Sequence, residues 1–118
     1  MAVARFLAIA WPAELPWTHF PAGEFRSKAT AGKLKAMGLK PGWPDFIFVF
    51  PNGQFAGLEL KVGANGLSLV QVDLRQRLMA CNAGYAVATS MEEVEEVLIR
   101  WSAAFSLTLR ARLMRSAA

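Results

Sequence analysis

The sequence predicts an α/β protein, a mixed sheet flanked by helices, and three observations carry that expectation. Two apolar stretches, residues 45–50 (DFIFVF) and 55–62 (FAGLELKV), flank Asn52-Gly53, the dipeptide that supplies the positive backbone angles of a tight antiparallel hairpin. Helical periodicity marks 69–82 and 91–105. A further strand-like stretch, Tyr85 to Thr89, lies between those two helices, so strand and helix alternate.

The elements follow in order. Residues 2–10 (AVARFLAIA) read as a short apolar helix that Pro12 ends. Trp17 to Phe20 reads as a short extended segment before a Pro21–Gly23 turn. Ser27 caps a helix over 28–37, with Ala29, Leu34 and Met37 as its apolar face and Gly38 at its C-terminal end. After the hairpin, a glycine-containing loop at 63–66 leads into helix 69–82, with Leu69, Val72, Leu78 and Met79 on or near its buried side, and Gly84 ends it. Ser90 and Glu93 have capping-box spacing at the start of helix 91–105, whose acidic first turn complements the helix dipole. The tail, SLTLRARLMRSAA, either extends that helix or forms another; Arg110, Arg112 and Arg115 make it a nucleic-acid arm or a frayed end. The predicted order is therefore α-β-β-α-β with a further C-terminal helix, in a single domain over 1–118. Its core spans about 19–105, with 106–118 as tail or extra helix.

Composition narrows the partners. The chain of 118 residues is 54% hydrophobic, which excludes disorder and suggests an apolar surface that a partner covers. Formal charge is +4, but Glu92, Glu93, Glu95 and Glu96 form one acidic cluster. Without them, 13 basic residues face 5 acidic ones, a balance that suits a polyanion. Cys81 is the single cysteine, so disulfides and thiolate zinc sites are excluded, and its helical setting makes it a small core residue. Arg5 and Arg100 interrupt the most apolar runs, which leaves no membrane span, and the opening residues run straight into core-like sequence. An intracellular, cytoplasmic protein is expected.

The chemistry concentrates at residues 42–61, GWPDFIFVFPNGQFAGLELK. In strand 55–62 the side chains alternate, so Glu59 and Lys61 share one face while Leu58, Leu60 and Val62 pack the other. The hairpin brings Asp45, fourteen positions before Glu59, beside it. Burying such charges without partners costs several kcal/mol, about the scale of a broken buried ion pair. A divalent cation between the carboxylates removes that cost, and two hard oxygen ligands with an open side suit Mg²⁺ or Mn²⁺. Such an ion polarises a phosphoryl oxygen and acidifies an attacking water, with Lys61 as a positive donor toward the phosphate. The plainer alternative is a surface Glu–Lys pair on an edge strand, with Asp45 as a turn residue.

The wider pattern separates these readings. Gly42-Trp43-Pro44-Asp45 followed by Glu59-Leu60-Lys61 resembles the Pro-Asp…(Asp/Glu)-x-Lys nuclease superfamily. Arg26-Ser27-Lys28 before a helix, Leu34-Lys35-Ala36-Met37-Gly38, and Gly66-Leu67-Ser68-Leu69-Val70-Gln71 after the lysine make it similar to the virus-type replication-repair nuclease (VRR-NUC) domain over roughly residues 19–100. The resemblance implies a restriction-endonuclease-like core and a Mg²⁺- or Mn²⁺-dependent deoxyribonuclease. It makes Asp45, Glu59 and the Leu60 carbonyl the metal ligands and Lys61 the catalytic lysine, and it turns Gln71 into the site. Ser68 and Gln71 also have capping-box spacing, and the two roles can coexist. The family carries a further acid on an N-terminal helix; here only Glu14 and Glu24 precede Asp45, neither on a clear helix, and Glu14 is the candidate.

Several side chains are candidates for holding DNA: Arg26, Lys28, Lys33, Lys35, Lys40 and Arg75 by charge, and Trp43, beside Pro44, by stacking on a base or sugar. For the lysines around helix 28–37 the alternative is a solvated basic face; for Arg26, a salt bridge. His19, the single histidine, is either a hydrogen-bonded structural residue or a base. A homodimer with paired sites, cutting branched or four-way DNA, is the expected assembly. A phage-encoded enzyme acting in a bacterial host fits the resemblance. Two other functions compete: a sequence-specific restriction-type endonuclease, and a non-catalytic DNA-binding subunit.

Overall fold

Strands of alternating exposure and two amphipathic helices build one hydrophobic layer. The computed structural model describes residues 2–21 and 27–114. The elements are α1 (Ala2–Ala10), β1 (Trp17–His19), α2 (Lys28–Ala36), β2 (Phe46–Val49), β3 (Phe55–Leu60), α3 (Leu69–Ala80), β4 (Gly84–Ala88) and α4 (Met91–Ala103). The strands form one sheet in the order β1-β2-β3-β4, antiparallel except for the parallel β3–β4 pair. This is the mixed α/β sheet expected, and α1 and β1 fall where the apolar helix over 2–10 and the extended segment from Trp17 were expected.

The hairpin pairs β2 with β3 as the dipeptide predicts, by a looser turn. Residues 51–53 form a three-residue loop, and only Gly53 takes a positive φ, 81°. The Gly53 N–H donates to the Phe50 carbonyl and the Asn52 side chain accepts from the Gln54 N–H. Pro51 presets the φ of the first loop position, so a glycine is needed only at the last.

One face of the sheet carries the core. Phe46, Phe48, Ala56, Leu58 and Ala88 point into it and meet Val3, Phe6, Leu7 and Ala10 of α1 and Val94, Val97 and Leu98 of α4. Trp11 and Trp101 pack edge-on against Phe48, each with ring centroids 5.3 Å away. The opposite face, where Glu59 stands, is crossed by α3.

Several expectations fail on α3 and α2. Leu69 is 89% exposed and Met79 58%, while Leu74 is the buried residue of α3. The cap explains the phase: Gln71 faces the sheet, and Leu69, two residues earlier and about 200° round the helix, faces outward. Cys81 is exposed at the C-cap of α3 rather than in the core. On α2 no residue is fully buried: of the expected apolar face Leu34 is half-buried, while Ala29 is exposed and Met37 is 73% exposed. β3 ends at Leu60, which leaves Val62 82% exposed instead of packed.

The tail is neither a helix nor a free arm. Residues 107–114 run without regular structure across the end of α1, and Leu107, Leu109 and Leu113 pack against the core. Arg110 donates from its backbone N–H to Ala10, from Nε to Trp11 and from Nη2 to Ala8, satisfying carbonyls at the end of α1 that the helix cannot. Glu95, fully buried on α4, pairs with Arg112 Nε at 3.2 Å and accepts the Leu113 N–H. Arg115 lies outside the described residues. Arg112→Ala should cost about 1–2 kcal/mol, less than a fully buried pair because the guanidinium is half in water. Urea unfolding measures this, and an unchanged midpoint would mean that the tail is not latched.

Candidate active site

The site begins with a proline lying flat on the sheet. Pro44 is buried, and a Cβ on Gly57 would come within 2.3 Å of its Cγ. Gly57 is therefore the residue that lets the 42–45 segment sit down on β3. Gly42, at φ +88°, approaches α3 closely enough that a Cβ would lie 2.8 Å from Val70 Cγ1. With both contacts made, Asp45 leaves the loop at a fixed angle. Gly57→Ala should cost about 1–3 kcal/mol by overpacking and displace Asp45; a thermal midpoint equal to the parent's would show that the loop yields freely.

Asp45 and Glu59 meet because of strand register. Phe46 pairs with Leu58, so one step further sets Asp45 opposite Glu59. Asp45 Oδ2 accepts the Leu60 N–H at 2.7 Å. Its own carbonyl oxygen accepts the Phe20 N–H at 2.7 Å and lies 2.8 Å from His19 Nδ1. A carbonyl can only accept, so Nδ1 is the protonated nitrogen there and His19 holds the Asp45 backbone.

Glu59 is 4% exposed, and its acid is pushed up to about 8. Burial is the largest cause, followed by the hydrogen bond to the Asp45 carboxyl and the charge of Asp45; Lys61 opposes them. Two carboxyls this close hold a shared proton or a cation. Gln71 completes the arrangement. Its Oε1 accepts the Ser68 N–H at 2.9 Å, which turns Nε2 toward Glu59 Oε1, 3.2 Å away. Ser68 Oγ accepts the Gln71 N–H in return, so cap and site contact coexist as the spacing allows.

Comparison with protein-family models, curated proteins and solved structures returns no match. The functional reading therefore rests on this chain's own residues.

Tyr85 and Arg75 also belong to this neighbourhood. Tyr85, opposite Gly57 on β4, has a buried hydroxyl without a hydrogen-bond partner among the described residues. Its acidity is pushed back to about 12, first by burial and then by the charge of Glu59, with Arg75 opposing and Asp45 adding. The sequence marks Tyr85 only as a strand residue; its one signal is the alternation that puts it on the face of Glu59 once β3 and β4 are paired. Trp43 lies at the rim, edge-on to Phe20 at 6.3 Å and to Phe55 at 6.0 Å.

Other candidates stand apart. Glu14 is exposed in the turn after α1, and α1 itself carries no acidic residue and packs on the opposite face of the sheet. Lys28, Lys33 and Lys35 are exposed on α2, and Lys40 flanks Trp43. Arg26 lies outside the described residues, as do Glu24 and most of the Pro21–Gly23 turn.

The donor set fits a hard divalent ion in part. The buried Glu59 and the half-buried Asp45 stand side by side and Leu60 is held beside them, yet among the described residues no group of three or more His, Cys, Asp or Glu comes together. Further ligands would have to be backbone carbonyl and water, which Mg²⁺ accepts readily.

Proposed function

We propose that this chain is a metal-dependent DNA endonuclease with a restriction-endonuclease-like core, of the kind the VRR-NUC resemblance implies. The observation that carries the reading is the Asp45–Glu59 pair, a buried glutamate against a half-buried aspartate, which costs the fold stability and is held together by Pro44, Gly57, His19 and Gln71. A fold that needed only a sheet would place apolar residues there. Asp45, Glu59 and the Leu60 carbonyl would hold Mg²⁺ or Mn²⁺, which supplies charge neutralisation at the phosphate and a more acidic water. Lys61, whose charge is felt at Glu59, would offer an ammonium to the phosphate, and Gln71 keeps Glu59 in one orientation. The exposed lysines of α2 and Lys40 give the backbone of DNA a cationic approach.

Substrate selectivity is proposed to come from pairing. Two copies related by a two-fold axis would present two sites to branched or four-way DNA. The tail leucines are used within the chain, and a two-fold contact would draw on apolar side chains that stay exposed, such as Leu69 and Met79 of α3, Val62, Met37 and Ile9. No helix among the described residues is long and apolar enough to cross a membrane. A DNA substrate would place the protein in the cytoplasm, of a phage-infected cell if the gene is viral.

The test is incubation with single-stranded, duplex, flap and four-way DNA, with Mg²⁺, with Mn²⁺ and with chelator. Cleavage of branched forms in metal alone is expected. Cutting of linear duplex at one short sequence would instead favour a restriction-type enzyme. Salt-sensitive binding that leaves every substrate intact would favour the non-catalytic subunit and end the nuclease reading.

A further inference from the structure

A groove of about 360 Å³ runs between the 40–43 loop and α3, walled by Trp43, Val70 and Leu74 and rimmed by Lys40, Asp73 and Arg77. That volume is at the low end of small-ligand pockets, roughly 300–1,000 Å³. Helical geometry ties it to the site. Val70, Leu74 and Arg77 share one stripe of α3, while Gln71 and Arg75 share the adjacent one, about 100° round. Gln71 reaches Glu59, and Trp43 is two residues before Asp45. The groove thus shares both walls with the carboxylate site, α3 through Gln71 and the 40–45 segment through Asp45.

We propose that this groove holds one unpaired nucleotide of a DNA substrate, its base against Trp43 and its phosphate between Lys40 and Arg77. The inference rests on the nuclease reading and deepens it, since it gives the site a means of choosing DNA with unpaired or splayed nucleotides. Trp43 is held edge-on by Phe20 and Phe55, so a face can stack without loss of side-chain freedom. Val70 and Leu74 offer the apolar wall a base needs, and a stacked base does not require sequence-specific hydrogen bonds. The rim carries two cations and one anion. Asp73 lies 3.8 Å from Arg77, both side chains largely in water, so a phosphate displaces a weak pair.

The test measures binding of the whole chain in chelator, where no cleavage intervenes. The probes are a short oligothymidylate, a blunt duplex, and the same duplex with an unpaired arm. The parent should bind the armed duplex about tenfold tighter than the blunt one, with quenching of tryptophan fluorescence. Trp43→Ala should remove the quenching, Trp43→Ala and Arg77→Ala should each remove most of the preference, and Asp73→Asn should tighten the armed duplex. A parent without preference, or a preference that survives both Trp43→Ala and Arg77→Ala, overturns the inference. Cleavage of branched DNA alongside such an overturning result leaves the nuclease reading standing. Preference as proposed, with no cleavage in any metal, ends the nuclease reading and leaves the nucleotide groove.

Discussion

Asp45→Asn is expected to lower Mg²⁺-dependent cleavage by at least about a hundredfold while leaving the fold intact. The substitution keeps the shape of the side chain and an oxygen that can accept the Leu60 N–H, so the 2.7 Å contact that seats the residue can survive. What it removes is one of two negative charges proposed to hold the cation. Lys61→Ala should cause a comparable loss for a different reason: the ammonium charge disappears and the carboxylate pair remains. The two variants therefore separate by metal affinity. Asp45→Asn should weaken Mn²⁺ binding, whereas Lys61→Ala should preserve or strengthen it, since a positive neighbour opposes a bound cation. Single-turnover cleavage and Mn²⁺ titration read both effects. Full metal-dependent activity in either variant removes that residue from the proposed chemistry.

The legibility of the sequence differed from one element to another for physical reasons. Asn52-Gly53 and the alternation on either side specify the hairpin, but the register that sets Asp45 opposite Glu59 comes from the three-residue loop 51–53, since a two-residue Asn-Gly turn would set Asp45 opposite Leu60. The Ser68–Gln71 spacing likewise specifies both a cap and a direction for the glutamine. Local pattern was less informative where tertiary contacts decide. Nothing near Gly57 marks it as the seat of Pro44, because the two meet only after the hairpin closes. Hydrophobicity placed Leu69 and Met79 inside, but the cap set the helix phase and turned them out. The tail has no helix, because Arg110 finds its partners about a hundred positions back and Arg112 finds Glu95 seventeen positions back, contacts that no periodicity encodes.

The sharpest thermodynamic consequence lies in Glu59. Its acid is raised from 4.5 to about 8 in the folded chain, by burial first and by Asp45 second. Below about pH 4.5 folded and unfolded chains both keep the proton, and the group contributes no pH dependence. Between 4.5 and 8 the unfolded chain releases it and the folded chain retains it, so stability falls as pH rises. By pH 8 the loss from this one group is on the order of 4 kcal/mol in metal-free protein. Glu59→Gln carries no ionisation and keeps an oxygen for Gln71 Nε2, so it should flatten that slope and be the more stable protein at pH 8 in chelator. A divalent ion should reverse the order. Binding takes the place of the proton, so the rise in thermal midpoint on adding Mn²⁺ should be larger at pH 8 than at pH 6 in the parent and small at both in Glu59→Gln. Thermal unfolding with chelator and with Mn²⁺ at the two pH values is enough to decide. Equal midpoint shifts in parent and variant would mean that the ion, if bound, sits elsewhere. A parent whose stability does not fall over this range would mean that Glu59 ionises freely, and the argument that a cation relieves a strained pair would lose its basis.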